Sequence, residues 1–380
     1  MPPRALWTVL AAFVSSRALV VTGTLASSRF IVPRPTPTDA WHPANGFLTP
    51  FFNWDANYYM QIATYGYGPA PSGINPAPYR AAFFPLYPLL VSTVSRVLGD
   101  PSWSALLISN LALLLTLFVA RALCSRLLGD HQANAAVWIL AFYPWSFFLS
   151  VPYSEVLLLL LLAIALWLAD GGRWLWAGVA GMVAATARAP GLLAAAIPLA
   201  ELPRRWFAQK SRAGFGVLIL AAALPGLGWV MVGLALKVSM GDPLGFIHGQ
   251  ALWIGPHRNP FFLVGSMVTI ALRHDFTDTE FFGFPCMVCF LVAVIWLARR
   301  VPPHYSVLAI LMFGLAVFQT LNLRQAIALP RYLMTDLPCY FAFGALFTRL
   351  PRWALPVWLV ASGGLLFWFS ILFASWRFVG

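Results

Sequence analysis

Apolar runs close to twenty residues long, separated by short polar or basic loops, recur along the whole chain. A helix that crosses a bilayer needs about 20 such residues. The runs at 5–26, 103–127, 133–151, 154–169, 174–202, 214–237, 281–298, 304–322, 331–348 and 354–375 approach or exceed that length. Arg17 interrupts the first run and no small-residue cleavage site follows, so it reads as a retained first helix rather than a signal peptide. The pattern predicts an all-α integral membrane protein, a multi-span helical bundle of about eleven transmembrane helices with its N-terminus inside.

The loops give the orientation. Arg121 with Arg126, then Arg173, then Arg204, Arg205, Lys210 and Arg212, then Arg299 with Arg300, and Arg349 with Arg352 mark the cytoplasmic side. Because 170–173 and 203–212 fall on one side, the run between them must cross an even number of times. It is broken at Arg188-Ala189-Pro190-Gly191, which predicts two half-length helices meeting at an Arg-bearing break, a device tolerated only where it lines a cavity inside the protein. The same parity argument makes 81–98, with Pro85 and Pro88 inside it, an interfacial or embedded segment rather than a crossing. The organisation expected is one polytopic domain over 1–380. It carries a first external loop at 27–100 with interfacial helices, and a second at 239–280 in which Asp275 and Asp278 read as solvated loop.

Composition agrees with this picture. Apolar residues make up 60% of the chain and charged residues 9%, with a mean hydropathy of +0.77, whereas soluble proteins carry roughly 25% charged residues. A cytosolic enzyme, a disordered chain and a disulfide scaffold are excluded. The net charge of +12 sits in the short loops, so it reports topology rather than nucleic-acid binding. Cys286 and Cys289 form a C-x-x-C within a Phe, Val and Leu run with no second ligand pair nearby, the setting of core packing rather than of metal or redox chemistry.

The remaining polar residues collect on the external face. In the segment from Asn53 to Tyr67, Trp54, Tyr58, Ile62 and Tyr65 fall on one helical face, with Asp55 in the first turn. That pattern fits a plain amphipathic helix with an Asp cap. It equally fits a carboxylate held at the membrane surface to take a proton from an acceptor hydroxyl. No transporter-like internal repeat is visible and the candidates lie on one face, which favours a reaction site over a multi-span lipid or sugar transporter.

The run N-W-D-A-x-x-Y-x-x-I-A-x-x-G-Y from Asn53, followed by Ala82-Phe83-Phe84-Pro85-Leu86-Tyr87-Pro88, resembles the second mannosyltransferase of GPI-anchor assembly, the PIG-V family, and its bacterial relatives. Four further segments extend the likeness in order: Ser146 to Glu155 (S-F-F-L-S-V-P-Y-S-E), Thr186 to Gly191 (T-A-R-A-P-G), Gly241 to Gln250 (G-D-P-L-G-F-I-H-G-Q) with Trp253, and Leu329-Pro330-Arg331-Tyr332-Leu333. Where family members often carry an acidic or His residue after G-Y, this chain has Gly68-Pro69-Ala70-Pro71.

The resemblance implies a GT-C type glycosyltransferase with a polyprenyl-phosphate-mannose donor, a glycan or glycolipid acceptor, and neither metal nor other cofactor. It implies a multi-pass cell-membrane enzyme with its site on the external (periplasmic or lumenal) face and the catalytic Asp, Asp55, in the first external loop. Other GT-C activities, with a different sugar or protein O-mannosylation, are the nearest alternatives. Charge separation in such a transfer calls for a base at the acceptor and fixed cations at the leaving phosphate. Asp55 is the candidate base, and Arg331, Arg188 and Arg80 are the candidate cations. Their ordinary alternatives are a snorkelling helix-end Arg for Arg331 and an Arg on exposed carbonyls for Arg188. Trp54, Tyr58, Tyr59, Glu155, Asp242, His248, Gln250 and Tyr332 are candidate substrate contacts, with helix N-capping as the plain alternative for Glu155.

Overall fold

The computed structural model of the chain describes residues 3–37, 39–69, 71, 74, 76–207, 212–253, 265, 268–269, 279–320 and 328–380. Lys210, Asp275 and Asp278, and most of the second external loop beyond 253, lie outside the described residues. Among the described residues the regular structure is entirely helical. α1 (Pro3–Phe30) leads into the external segment, which holds a 3-10 turn at Gly46–Phe51, then α2 (Asp55–Tyr65), α3 (Ala77–Ala81) and α4 (Leu86–Leu98). The 13 residues of α4 rise only about 20 Å, short of the roughly 30 Å hydrocarbon core. Gly99, at φ 76, closes α4, and Asp100 accepts the Ser102 and Trp103 amides to start α5 (Pro101–Leu128).

α6 (Asp130–Phe142) corrects the expected run at 133–151. The helix stops because Tyr143 precedes Pro144 and takes an extended conformation (φ −53, ψ 132). Residues 143–154 then form a buried irregular segment with one 3-10 turn, Ser146–Leu149. Irregular backbone at this depth needs protein partners, and Arg17 on α1 supplies them. Its Nη2 donates to the Ala141 carbonyl (2.9 Å) and Ser146 Oγ (2.9 Å), and its Nη1 to the Ser146 carbonyl (2.9 Å) and Ser150 Oγ (2.6 Å). What the sequence presents as a flaw in an apolar helix is the cap of a broken one. Arg17→Met should remove a charged donor from each of these acceptors, leaving the Ser146 and Ser150 hydroxyls only their own bonds to the Ala141 carbonyl and Asn110, so the thermal midpoint in detergent should fall sharply. An unchanged midpoint would remove Arg17 from this role.

α7 (Glu155–Asp170) and α8 (Trp174–Ala187) form a tight hairpin. At Arg188 the backbone is extended (φ −164, ψ 148), a 3-10 turn spans Ala189–Ala195, and α9 (Ala196–Leu199) and α10 (Leu202–Phe207) follow. The break is where the sequence puts it, but the returning half is a 3-10 turn and a single α turn rather than a second half-helix. Gly191 is required because a Cβ there would overlap the Ala184 carbonyl. Gly191→Ala should therefore cost about 3 kcal/mol or more, read as loss of folded protein in detergent. Wild-type yield and melting would contradict the tight packing. His304 joins Asp170 (3.0 Å) to Glu201 (3.3 Å), so the two ends of this excursion lie together, as an even number of crossings demands.

α11 (Arg212–Met240) packs on α8, and α12 (Gly245–Trp253) on α3. α13 (Gly283–Leu297), α14 (Pro303–Gln319), α15 (Leu329–Leu333), α16 (Leu337–Phe347) and α17 (Ala354–Ala374) complete the bundle. By length and composition, four of the described helices can cross a membrane: α1, α5, α11 and α17. Five more, α4, α8, α13, α14 and α16, are apolar but shorter, so helix length does not carry the expected count of about eleven spans. Leu107, Leu111 and Leu115 form an exposed stripe on α5, and Val357 and Val360 stand exposed on α17. Outward apolar faces of this kind belong against lipid. Arg126, Asp170, Glu201, Arg204 and His304 gather at the far end of α7. Glu155 begins the same helix about 24 Å away.

Candidate active site

Asp55 is aimed by the residues before it. Asn53 is buried and its Nδ2 donates to the Phe373 and Ala374 carbonyls (3.0 and 3.1 Å) at the end of α17. Trp54 follows at φ 59, ψ −127, a region L residues rarely enter. The Asp55 amide then donates to the Tyr153 hydroxyl at 3.0 Å. The carboxylate does not cap α2. Its Oδ2 takes Arg331 Nη2 at 2.6 Å, and the side chain stays 29% exposed.

Arg331, on α15, is buried, so it does not snorkel. Its Nε donates to Glu155 Oε1 at 2.6 Å, its Nη2 lies 2.5 Å from the same oxygen, and its Nη1 donates to the Gly380 carbonyl at 3.2 Å. The guanidinium also meets the rings of Phe148 (4.6 Å) and Tyr153 (4.7 Å). Glu155 is fully buried, and its Oε2 sits 3.0 Å from Arg188 Nη1, ion-pair range though off the line of a well-formed hydrogen bond. Arg188 reaches Ser154 Oγ at 3.4 Å and meets the ring of Tyr332 at 5.9 Å. Residues from four distant motifs thus form one alternating chain, Asp55–Arg331–Glu155–Arg188, with two charges of each sign. Burying isolated charges is costly, and alternation with short hydrogen bonds is what offsets it.

A narrow cleft opens beside the chain. Arg188, Glu155 and Tyr332 line its polar end, Met312, Leu315 and Ala316 its apolar wall, and Gln319 and Thr335 complete it. Neither Gln319 nor Thr335 stands in a sequence motif that marks it.

The other candidates fall elsewhere. Arg80 is buried and donates to the carbonyls of Gly66 and Gly68 (2.6 Å to the latter), pinning the turn after α2 instead of facing Arg331. Tyr59 is buried with its hydroxyl 2.5 Å from Ser154 Oγ. Tyr58 stacks on Phe83 at 4.7 Å, and burial together with the nearby Asp55 pushes its hydroxyl well above the ordinary range, so it remains a proton donor. Asp242 accepts the Leu244 amide at the start of α12 and pairs with His248 at 2.7 Å; the hydrogen bond from His248 holds its carboxyl below the usual range. Gln250 donates to the Ala82 carbonyl at 3.1 Å. These three residues cap α12 and dock it on the first external segment. Among the described residues no cluster of three or more His, Cys, Asp or Glu is arranged to hold a metal ion.

The bundle has the fold of the GT-C membrane glycosyltransferases. It is similar to ArnT from Cupriavidus metallidurans, solved bound to undecaprenyl phosphate, with a TM-score of 0.54 and 15% identity over 92% of this chain and 62% of that one. It is similar also to the apo oligosaccharyltransferase of Archaeoglobus fulgidus, with a TM-score of 0.50 and 13% identity over 98% of this chain and 56% of that one. The chain thus spans less than two thirds of either enzyme, and no curated protein matches it by sequence. The family described as Mannosyltransferase (PIG-V) matches residues 4–213, more than half of the chain. The chain belongs to that family. The matched stretch contains Asp55, Glu155 and Arg188, while Arg331 comes from beyond it.

Proposed function

We propose that this enzyme moves mannose from a polyprenyl-phosphate-mannose donor to a glycan or glycolipid acceptor at the external leaflet of the cell membrane, with inversion at the anomeric carbon. The observation that carries the reading is a partly exposed carboxylate, a buried cation and an apolar-walled cleft joined by one alternating chain of charges. Asp55 takes the proton of the acceptor hydroxyl, the new O–C1 bond forms, and the C1–O bond to phosphate breaks. The electron pair leaves with polyprenyl phosphate. One base and one displacement give inversion.

Arg331 is committed to Asp55, Glu155 and Gly380. Its part is to fix the Asp55 carboxylate and lend positive potential from behind. Arg188 lines the cleft, which supports it as the cation that meets the leaving phosphate, with Tyr332 beside it. The apolar wall suits a lipid chain, and the ArnT neighbour is a protein bound to such a lipid phosphate. Tyr58 and Trp54 flank Asp55 on the acceptor side, and Arg80 supports the site through the turn it pins. The separation of this network from the basic loop ends supports the external face. The lipid-linked sugar is a co-substrate, and the reading requires no other cofactor.

Arg188→Gln should raise the donor KM by roughly 10–100-fold, the worth of a hydrogen bond to a charged group, while the acceptor KM moves little. The check is steady-state transfer at varied polyprenyl-phosphate-mannose. Equal weakening toward both substrates would make Arg188 structural.

A further inference from the structure

We infer that the segment 375–380 is a strap that positions the Asp55–Arg331 pair, so that Trp376 acts on the reaction through Asp55. The inference rests on the reading of Asp55 as the base. α17 ends in a Schellman closure: the Trp376 amide donates to the Phe373 carbonyl at 3.2 Å and the Arg377 amide to the Leu372 carbonyl at 2.9 Å. The residue turned left-handed in that motif is usually glycine, because a side chain there is strained. Here it is Trp376, at φ 56.

Trp54 and Trp376 are the two non-glycine residues with positive φ among those described. They lie 322 positions apart in sequence (376 − 54) and their rings meet at 5.5 Å. Phe378 adds a second ring against Trp54 at 5.1 Å, in a T-shaped arrangement. Strain persists only where the surroundings over-determine it, and an outlier beside a reactive carboxylate points to a purpose. Trp54 is the residue whose ψ sets the direction in which Asp55 leaves.

The far end of the segment acts on the other partner. Trp145 Nε1 donates to the Val379 carbonyl at 2.8 Å, which fixes Gly380, and the Gly380 carbonyl accepts Arg331 Nη1 at 3.2 Å. With that edge of the guanidinium held, Nε and Nη2 are turned toward Glu155 and Asp55. Six residues therefore brace both members of one ion pair, Asp55 through Trp54 and Arg331 directly. Without the Trp376 ring, Trp54 relaxes toward ordinary backbone angles and Asp55 turns from Arg331.

The test is a double-mutant cycle with Asp55→Asn, read as mannose transfer from polyprenyl-phosphate-mannose to a glycolipid extract of the cells that make the protein. Trp376→Gly removes the ring yet suits the left-handed backbone, so the helix end is preserved. It should lower kcat about tenfold or more with the donor KM within about threefold, the signature of a displaced catalytic group. Trp376→Phe should bring kcat back to within about threefold of wild type. In the Asp55→Asn background, Trp376→Gly should change the residual rate by less than about twofold, because its effect passes through the lost carboxylate. Phe378→Ala, at a residue 38% exposed and little needed for folding, should lower kcat several-fold and show the same non-additivity. A wild-type kcat in Trp376→Gly and Phe378→Ala, or equal losses with and without Asp55, overturns the strap while the base reading stands. Full activity in Asp55→Asn overturns both.

Discussion

Asp55→Asn is expected to lower mannosyl transfer by about 10²–10⁴-fold, the usual contribution of a positioned general base, while leaving the protein folded. The amide keeps the size of the side chain, and its oxygen can still accept from Arg331 Nη2, now 2.6 Å from Oδ2. What it cannot do is take the acceptor proton. Arg331 also keeps its bonds to Glu155 and Gly380, so the buried cation remains compensated. Stability and activity should separate: melting in detergent close to wild type, turnover nearly gone. Substantial turnover in this variant would sink the assignment.

Glu155→Ala should produce the largest loss of stability at the site. Glu155 is fully buried between two guanidiniums, Arg331 through Oε1 and Arg188 through Oε2. Removing one member of a buried ionic network typically costs 3–5 kcal/mol, because the charges left behind are desolvated and unpaired. Here two cations would lose their shared carboxylate, and Asp55 alone would face Arg331. The expected outcome is protein that does not survive extraction, or a melting midpoint far below wild type. Glu155→Gln should be milder, since an amide oxygen still accepts one hydrogen bond. A wild-type midpoint in Glu155→Ala would mean that the site is open to water and that the alternating chain is not what holds α7, α15 and the Arg188 break together.

The four residues of that chain were legible in sequence because charge is so scarce. In an apolar protein, Asp55, Glu155, Arg188 and Arg331 stand out, and each falls inside a family-like motif. Arg80, Asp242, His248 and Gln250 were equally conspicuous, and the fold binds them to turns, helix starts and neighbouring backbone. Pattern alone cannot separate a polar side chain that satisfies nearby backbone from one that faces a ligand. Arg17 failed in the opposite direction. Its partners lie at 141–150, and nothing along α1 reveals that a helix more than a hundred residues away breaks beside it. The run at 133–151 misled because hydropathy reports depth, whereas Tyr143-Pro144 decides whether depth is filled by helix. The segment 375–380 carries no motif, and its part rests on two backbone angles and a carbonyl that only the fold brings to Arg331.

The most direct test of the proposed transfer is the stoichiometry of purified protein given polyprenyl-phosphate-mannose and the same glycolipid extract, with wild type and Asp55→Asn side by side. The account predicts one polyprenyl phosphate released for each mannose joined to the acceptor by wild type, with the anomeric configuration inverted, and almost none by the variant. An untouched donor, or equal release by the two proteins, would contradict it.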